Sequence, residues 1–172
     1  MLNKIKSKKY DLVLSYVEEV KLGDKTNREG HSAKVYFNEL FGKDFVRNNS
    51  DEINAALNYG YAILLSTINK EVISNGYLTQ LGIHHKNEFN QFNLSCDLME
   101  PFRVIIDNFI YYNQNRELDT QFKLDIINIF NNRYSYDNKK YILKDIIKLF
   151  VKNALDSIED INKYKEFCIY EG

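Results

Sequence analysis

The sequence is poor in the residues that interrupt regular secondary structure, with one proline and seven glycines among 172 residues. All-β folds need many such residues in their turns, so this scarcity argues against an all-β chain and favours helices. The length suffices for one domain with a hydrophobic core. We therefore predict an all-α fold, in which residues 1–172 form a single multi-helix domain.

Long apolar runs, a disulfide framework and a secretory signal are also missing from the sequence. Apolar stretches such as residues 104–106 and 109–112 end well short of the roughly 20 residues that a membrane span needs. The two cysteines, Cys96 and Cys168, form no C-x-x-C pair, which is typical of reduced thiols. The residues after Met1 do not follow the pattern of a signal peptide. These observations predict a cytoplasmic protein.

The chain has no overall excess of positive charge, since its formal net charge is −1 at pH 7. Nucleic-acid-binding surfaces concentrate lysine and arginine. One local cluster has four lysines at every fourth residue, which would line one face of a helix. This lysine stripe comprises Lys140, Lys144, Lys148 and Lys152. Two interpretations stay open: the solvated side of an amphipathic helix, or a surface that contacts DNA phosphates.

Apolar residues at helical spacing predict seven helices along the chain. The predicted helices span residues 5–20, 26–41, from a cap at Asn49 or Ser50 to about Ser74, from about Asn93 onwards, 120–131, 138–154 and 157–167. Thr26 and Glu29 match a capping box at the start of the second helix. Residues 77–91 contain Gly82 and two histidines with little periodicity, which predicts a loop.

Two carboxylates and an arginine are spaced to share one face of the fourth predicted helix. Asp97 and Glu100 are three residues apart, and Arg103 follows three residues later, so all three side chains emerge on one side. Pro101 would remove the hydrogen bond that the carbonyl of residue 97 normally accepts and would kink the helix there. The spacing is equally compatible with an ordinary helical ion-pair network.

Histidines near these carboxylates would complete a metal site. Carboxylate oxygens suit Mg²⁺ or Mn²⁺, and an imidazole from His84 or His85 shifts the preference toward transition metals. Hydrogen bonding within the loop is an alternative role for both histidines. Glu29 likewise has a sufficient structural role in its capping box.

Asn54, Asn58 and Tyr61 form a polar line on the otherwise apolar third helix, because spacings of four and three place them on one face. They could support a metal site through hydrogen bonds to its ligands. They could also hydrogen-bond between helices, with Gly60 permitting close packing.

Five segments, in this order and at this spacing, resemble the signature motifs of the CRISPR-associated integrase family Cas1, in the version found in type II systems. The matching segments are residues 27–37, 40–42, 54–61, 82–85 and 97–103. The resemblance extends from about Leu2 to Tyr164. It implies a helical catalytic domain without the β-rich domain that begins full-length members.

The resemblance also implies a metal site and its ligands. In the family a glutamate, a loop histidine and a later acidic residue bind a divalent metal, Mg²⁺ or Mn²⁺. These correspond to Glu29, His85 and Glu100, with His85 preferred to His84 because the family's histidine lies about fifteen positions before the last ligand. By the same resemblance Asp97 supports the site or helps to position DNA, and Arg103 pairs with Glu100 or reaches phosphate. The helix with the polar line packs behind it.

The implied function is a metal-dependent DNA endonuclease and integrase of CRISPR adaptation. Its expected partners are prespacer and CRISPR-repeat DNA, with a homodimer and a Cas2 protein in the full-length protein, and no membrane. Two functions from other classes are alternatives. A His-Asp phosphohydrolase would need a histidine followed by aspartate, which neither His84 nor His85 has. A non-catalytic helical scaffold would explain the amphipathic helices and charge balance without any metal.

Overall fold

A computed structural model describes residues 1–19, 27–163, 165 and 167–171 of the chain. The predicted all-α class is confirmed, with one small sheet added to the helices. The helices are α1 (Tyr10–Glu19), α2 (Arg28–Phe41), α3 (Glu52–Ser74), α4 (Asn93–Tyr112), α5 (Thr120–Asn128) and α6 (Leu143–Glu159). Short 3₁₀ turns cover Ile129–Asn131 and Ile161–Lys163, and the strands are β1 (Arg133–Tyr136), β2 (Lys139–Ile142) and β3 (Ile169–Glu171).

The core is built around α3 and α4. Leu57 and Ile68 of α3 and Phe102 of α4 are completely buried. A Cβ added at Gly60 would lie 2.5 Å from Cγ2 of Ile106, so the absence of a side chain at Gly60 lets the two helices approach closely. Among the helices of the described segments, none is both long and apolar enough to cross a bilayer.

The starts of the first three helices differ from the sequence predictions. The first helix begins at Tyr10 rather than Ile5, and its predicted end, Val20, lies outside the described residues. Thr26 of the proposed capping box also lies outside them. The backbone of Asn27 has φ 52°, and its side chain makes no capping hydrogen bond to α2. Asp51 caps α3 by accepting a hydrogen bond from the backbone N–H of Asn54, whereas Asn49 or Ser50 was predicted.

A β-hairpin replaces the start of the predicted helix 138–154. β1 and β2 are antiparallel, and the connecting residues Asp137 and Asn138 have φ 49° and 58°. Aspartate and asparagine tolerate this left-handed conformation, and two such residues suit a two-residue hairpin turn. β3 pairs with the other edge of β1. Lys140 therefore lies on β2, and only Lys144, Lys148 and Lys152 lie on α6.

The helix predicted over residues 157–167 is also wrong, because α6 continues through Ser157 to Glu159. Ser157 donates a hydrogen bond from its hydroxyl to the carbonyl of Asn153 instead of capping a new helix. Further along, Phe167 packs against Phe102 and Phe150. Phe167 and Ile169 thus pack against the core, whereas the 3₁₀ turn Ile161–Lys163 has no buried residue.

Candidate active site

Residues 77–92, here called the histidine loop, connect α3 to α4 without helix or strand, which confirms the predicted loop. The loop is tied to the start of α4 at several points. Thr79 donates from its hydroxyl to the carbonyl of Gln91 at 2.7 Å, and its own carbonyl accepts from the N–H of Leu94 at 2.9 Å. The buried amide of Asn93 donates to the carbonyls of Gln80 and Asn87. Buried polar groups satisfied in this way hold a loop in one conformation.

The Asp97 carboxylate organises the segment of the loop that carries both histidines. It accepts hydrogen bonds from the backbone N–H groups of Ile83, His84 and His85 at 2.6, 3.0 and 3.1 Å. A Cβ added at Gly82 would lie 2.2 Å from the carbonyl oxygen of His85 and 3.0 Å from Oδ2 of Asp97. Only glycine fits this tight turn without moving the backbone.

Asp97 also fixes the His85 ring, since Nδ1 of His85 lies 2.5 Å from Oδ1 of Asp97. Burial raises the pKa of Asp97, but hydrogen bonds from the ring and the three N–H groups outweigh it, and the pKa falls below its ordinary value. With the carboxylate ionised, Nδ1 carries the proton and donates it. In a neutral ring with this tautomer, Nε2 of His85 has a free lone pair, as in metal-binding histidines whose other nitrogen is held by a carboxylate.

Glu100 lies one helical turn after Asp97 and forms an ion pair with Arg103, with Nη2 2.9 Å from Oε1. Burial is the main cause that raises the pKa of Glu100 above its ordinary value. Arg103 and His85 oppose this rise, whereas the carboxylates of Glu29 and Asp97 add to it. Charged groups on α2, in the histidine loop and on α4 therefore all affect the pKa of Glu100.

Glu29 faces the histidine loop from the first turn of α2. Its Oε2 lies 3.7 Å from Nε2 of His84, and both side chains are largely exposed. The rings of His84 and His85 are nearly perpendicular, with an interplanar angle of 89° and centroids 5.6 Å apart. In the described part of the chain, no three His, Cys, Asp or Glu side chains are arranged to hold an ion together. Glu29 and His85 nevertheless lie close enough to Glu100 to affect its pKa, and Glu29 contacts His84.

The chemistry of these side chains nevertheless fits a divalent cation. Two carboxylates and one imidazole are a donor set for Mg²⁺ or Mn²⁺. His85 and Glu100 are each held through one atom by a neighbour, Asp97 or Arg103. Ligands oriented by such outer partners bind metals more tightly than free side chains.

The polar line of α3 contacts an arginine that the sequence analysis did not single out. Arg47 donates to Oδ1 of Asn54 at 2.9 Å and to Oδ1 of Asn58 at 2.8 Å. Its guanidinium lies 5.3 Å from the ring centroid of Tyr61. Asn54 and Asn58 therefore hold Arg47 rather than a metal ligand.

Asp107 was missed as well, although its spacing offered a signal. It follows Glu100 and Arg103 at helical spacing and is only 3% exposed. Its carboxylate accepts hydrogen bonds from the hydroxyls of Tyr36, at 2.8 Å, and Tyr61. Burial raises its pKa to about 6, against the opposing effect of both hydroxyls and two arginines.

The lysine stripe is divided between α6 and β2. Lys144, Lys148 and Lys152 are exposed on α6, and Nζ of Lys144 donates to Oδ1 of Asn131 at 3.0 Å. Lys140 is exposed on β2. The four lysines therefore belong to two different elements, and the expectation of one helical face holds for three of them.

The comparisons with known proteins agree on one family. A model described as CRISPR associated protein Cas1 matches residues 26–145. The CRISPR-associated endonuclease Cas1 of Neisseria meningitidis is 35% identical over 149 residues, which are 84% of this chain and 49% of that protein. A second one, from Francisella tularensis, is 28% identical over 165 residues, 85% of this chain and 52% of that protein. The chain spans about half the length of these curated relatives.

Two solved structures share the fold. A Cas1 protein from Thermotoga maritima superposes with a TM-score of 0.71 at 14% identity, over 87% of this chain and 57% of that one. A casposase bound to its integration product superposes with a TM-score of 0.70 at 24% identity, over 90% of this chain and 52% of that one. At such identities the likeness concerns the fold.

Proposed function

This chain belongs to the Cas1 family of CRISPR-associated proteins, and we propose that it is the helical catalytic domain of a divalent-metal-dependent DNA endonuclease and integrase. The observation that carries the proposal is the set of contacts around Asp97. One carboxylate, with 8% of its side-chain surface exposed, fixes three backbone amides and the His85 ring, which leaves Nε2 of His85 for a metal ion. A scaffold without chemistry has no need of a histidine oriented in this way.

The proposed reaction is a transesterification at a phosphodiester of the CRISPR repeat. The 3′-hydroxyl oxygen of a prespacer DNA forms a new bond to phosphorus, and the bond between phosphorus and the 3′-oxygen of the host strand breaks. The attacking hydroxyl loses its proton, and the departing oxygen gains one. Water as the attacking group gives endonuclease activity instead.

Glu29, His85 and Glu100 would hold Mg²⁺ or Mn²⁺, which would supply charge stabilisation for the attacking and leaving oxygens and polarisation of the phosphoryl group. His85 would bind through Nε2, because Nδ1 is directed to Asp97. Asp97 would position His85 and the loop without binding the ion. Arg103 holds Oε1 of Glu100, which leaves Oε2 of that carboxylate for the ion.

Both kinds of DNA, prespacer and repeat, are the proposed substrates. The exposed lysines of α6 and Lys140 are candidates for contacts to the phosphate backbone, because such contacts need no base-specific geometry. A second copy of the chain and a Cas2 protein are the proposed partners for integration.

Cleavage of branched and single-stranded DNA with Mn²⁺ tests the proposal. We expect the parent chain to cleave, and His85→Ala and Glu100→Ala to be inactive while their circular dichroism spectra stay those of a folded helical protein. Asp145→Asn, at an exposed carboxylate of α6, is the control and should keep the parent's rate. Equal cleavage by the parent and both alanine variants would contradict the assignment of the site.

A further inference from the structure

A buried carboxylate lies behind the candidate site, where three helices meet. Asp107 of α4 accepts hydrogen bonds from the hydroxyls of Tyr36 on α2 and Tyr61 on α3. None of these three side chains is among the proposed metal ligands, and Tyr61 was expected only to support the site through hydrogen bonds. Burial of a carboxylate costs free energy unless hydrogen bonds offset it, and the two hydroxyls supply such hydrogen bonds to Asp107.

Tyr61 connects this carboxylate to the candidate metal ligands. Its side chain is buried, and the guanidinium of Arg103 lies 4.9 Å from the centroid of its ring. The same guanidinium donates from Nη2 to Oε1 of Glu100 at 2.9 Å. An unbroken series of contacts therefore runs from Asp107 through Tyr61 and Arg103 to Glu100.

Arg103 needs such support because it is long and partly exposed. About a third of its side-chain surface is open to solvent, at 35%, and a flexible side chain loses rotamer freedom when it is held in one place. A cation over an aromatic ring is attracted by the negative charge on the face of the ring, which favours one position of the guanidinium. The ring in turn is fixed at its far end, where its hydroxyl meets Asp107.

We propose that Tyr61 is a positioning residue for Glu100 and acts through Arg103. The Tyr61 ring holds the guanidinium of Arg103 at the position from which it donates to Oε1 of Glu100. This hydrogen bond orients the Glu100 carboxylate for the ion. This inference rests on the proposed function, since it requires that Glu100 binds a divalent metal.

Tyr36 provides a matched control for Tyr61. Both hydroxyls donate to Asp107, and the pKa of each phenol is raised, chiefly by burial. The ring of Tyr36, however, packs edge-on against Phe37, whereas the ring of Tyr61 lies against the guanidinium of Arg103. Substitutions at the two positions therefore damage the Asp107 network alike, but only those at Tyr61 disturb Arg103.

The test compares Mn²⁺ dissociation constants, measured by electron paramagnetic resonance of free Mn²⁺, for the parent, Tyr61→Leu, Tyr61→Phe and Tyr36→Leu. We expect Tyr61→Leu to weaken binding roughly tenfold, the lower end of the range for outer partners of metal ligands. Tyr61→Phe keeps the ring and should restore most of the affinity. Tyr36→Leu should lower the melting temperature as Tyr61→Leu does and leave the dissociation constant within about twofold, because Arg103 stays in place.

A second comparison asks whether the effect passes through Arg103. In the Arg103→Gln background, Tyr61→Leu should change the dissociation constant no further, as expected for two residues that act in series. Equal affinities of Tyr61→Leu and Tyr36→Leu, or an undiminished Tyr61 effect without Arg103, would overturn the role of Tyr61 and leave the metal site standing. A parent chain that binds no Mn²⁺ would overturn the proposed function and this inference with it.

Discussion

The Asp97 carboxylate accepts four hydrogen bonds, three from backbone N–H groups and one from the His85 ring. The side chain of asparagine has one acceptor oxygen, and its NH₂ group would face a donor. We therefore expect Asp97→Asn to weaken Mn²⁺ binding and DNA cleavage by roughly 10- to 100-fold, as for other partners of metal-binding histidines. Binding and cleavage assays on the folded variant check this, and a rate within twofold of the parent would contradict it.

Gly82 offers a second prediction at the residue scale. Alanine there would bring a Cβ to 2.2 Å from the carbonyl oxygen of His85, so the loop backbone must move. We expect Gly82→Ala to weaken Mn²⁺ binding about as much as Asp97→Asn does.

Gly76→Ala is the control for Gly82→Ala. Gly76 has φ 85° and open space around it, so its substitution should cost stability through backbone strain and leave Mn²⁺ affinity unchanged. Similar losses of Mn²⁺ affinity in both variants would show that the tight turn at Gly82 has no specific part in the site.

The sequence predicted several individual residues of the site region but not the contacts between them. Helical spacing placed Asp97, Glu100 and Arg103 on one face, and the Glu100–Arg103 ion pair follows from that. The hydrogen bonds between Asp97 and the histidine loop join residues twelve to fourteen positions apart. Helical periodicity gives no information about contacts of this kind. Asp107 depends on tyrosines 46 and 71 positions away, which only the packing of three helices brings together.

At the scale of secondary-structure elements, the start of α3 provides a stability prediction. Asp51 accepts from the backbone N–H of Asn54 through Oδ1 and from its side-chain amide through Oδ2, both at 2.8 Å. Removing a cap of this kind costs about 0.5–2 kcal/mol. Urea unfolding should therefore show Asp51→Ala destabilised by about that amount.

Two controls distinguish the Asp51 cap from the caps that were predicted. Asn49→Ala and Ser50→Ala should stay within about 0.5 kcal/mol of the parent, as exposed substitutions usually do. A larger loss at Asn49 or Ser50 than at Asp51 would favour the sequence-based prediction over the observed cap.

Long, strongly periodic helices were predicted well and the hairpin was not. α3 ends at Ser74 and α4 begins at Asn93, both where sequence signals put them. The strands are four residues long at most, too short for alternation to stand out. Lysines at every fourth residue suggested that α6 began earlier, although Lys140 lies across the helix boundary on β2.

At the scale of the whole molecule, Asp107 links folding to pH. Burial raises its pKa to about 6, above the value of about 4 expected in an unfolded chain. The folded state therefore binds the proton more tightly, so the contribution of Asp107 to stability is fully present below pH 4 and is lost as pH rises through 6. Two pKa units correspond to at most about 3 kcal/mol.

Comparison with Asp107→Asn isolates this contribution, because asparagine does not titrate in that range. Between pH 4.5 and 7.5 the variant should gain stability relative to the parent by more than about 1 kcal/mol. Asp97, whose pKa is lowered, contributes with the opposite sign in both proteins and cancels from the difference. Urea unfolding at the two pH values measures it, and a pH-independent difference would show that folding does not raise the pKa of Asp107.

The central claim is that His85 binds a divalent metal, and it is tested most directly by the Mn²⁺ dissociation constants of the parent, His85→Ala and His84→Ala. The two histidines are adjacent in the same loop, but only the His85 ring is oriented by Asp97, so each variant controls for the other. We predict that His85→Ala abolishes specific binding and that His84→Ala retains it within about tenfold. Binding lost in His84→Ala and kept in His85→Ala would contradict the account.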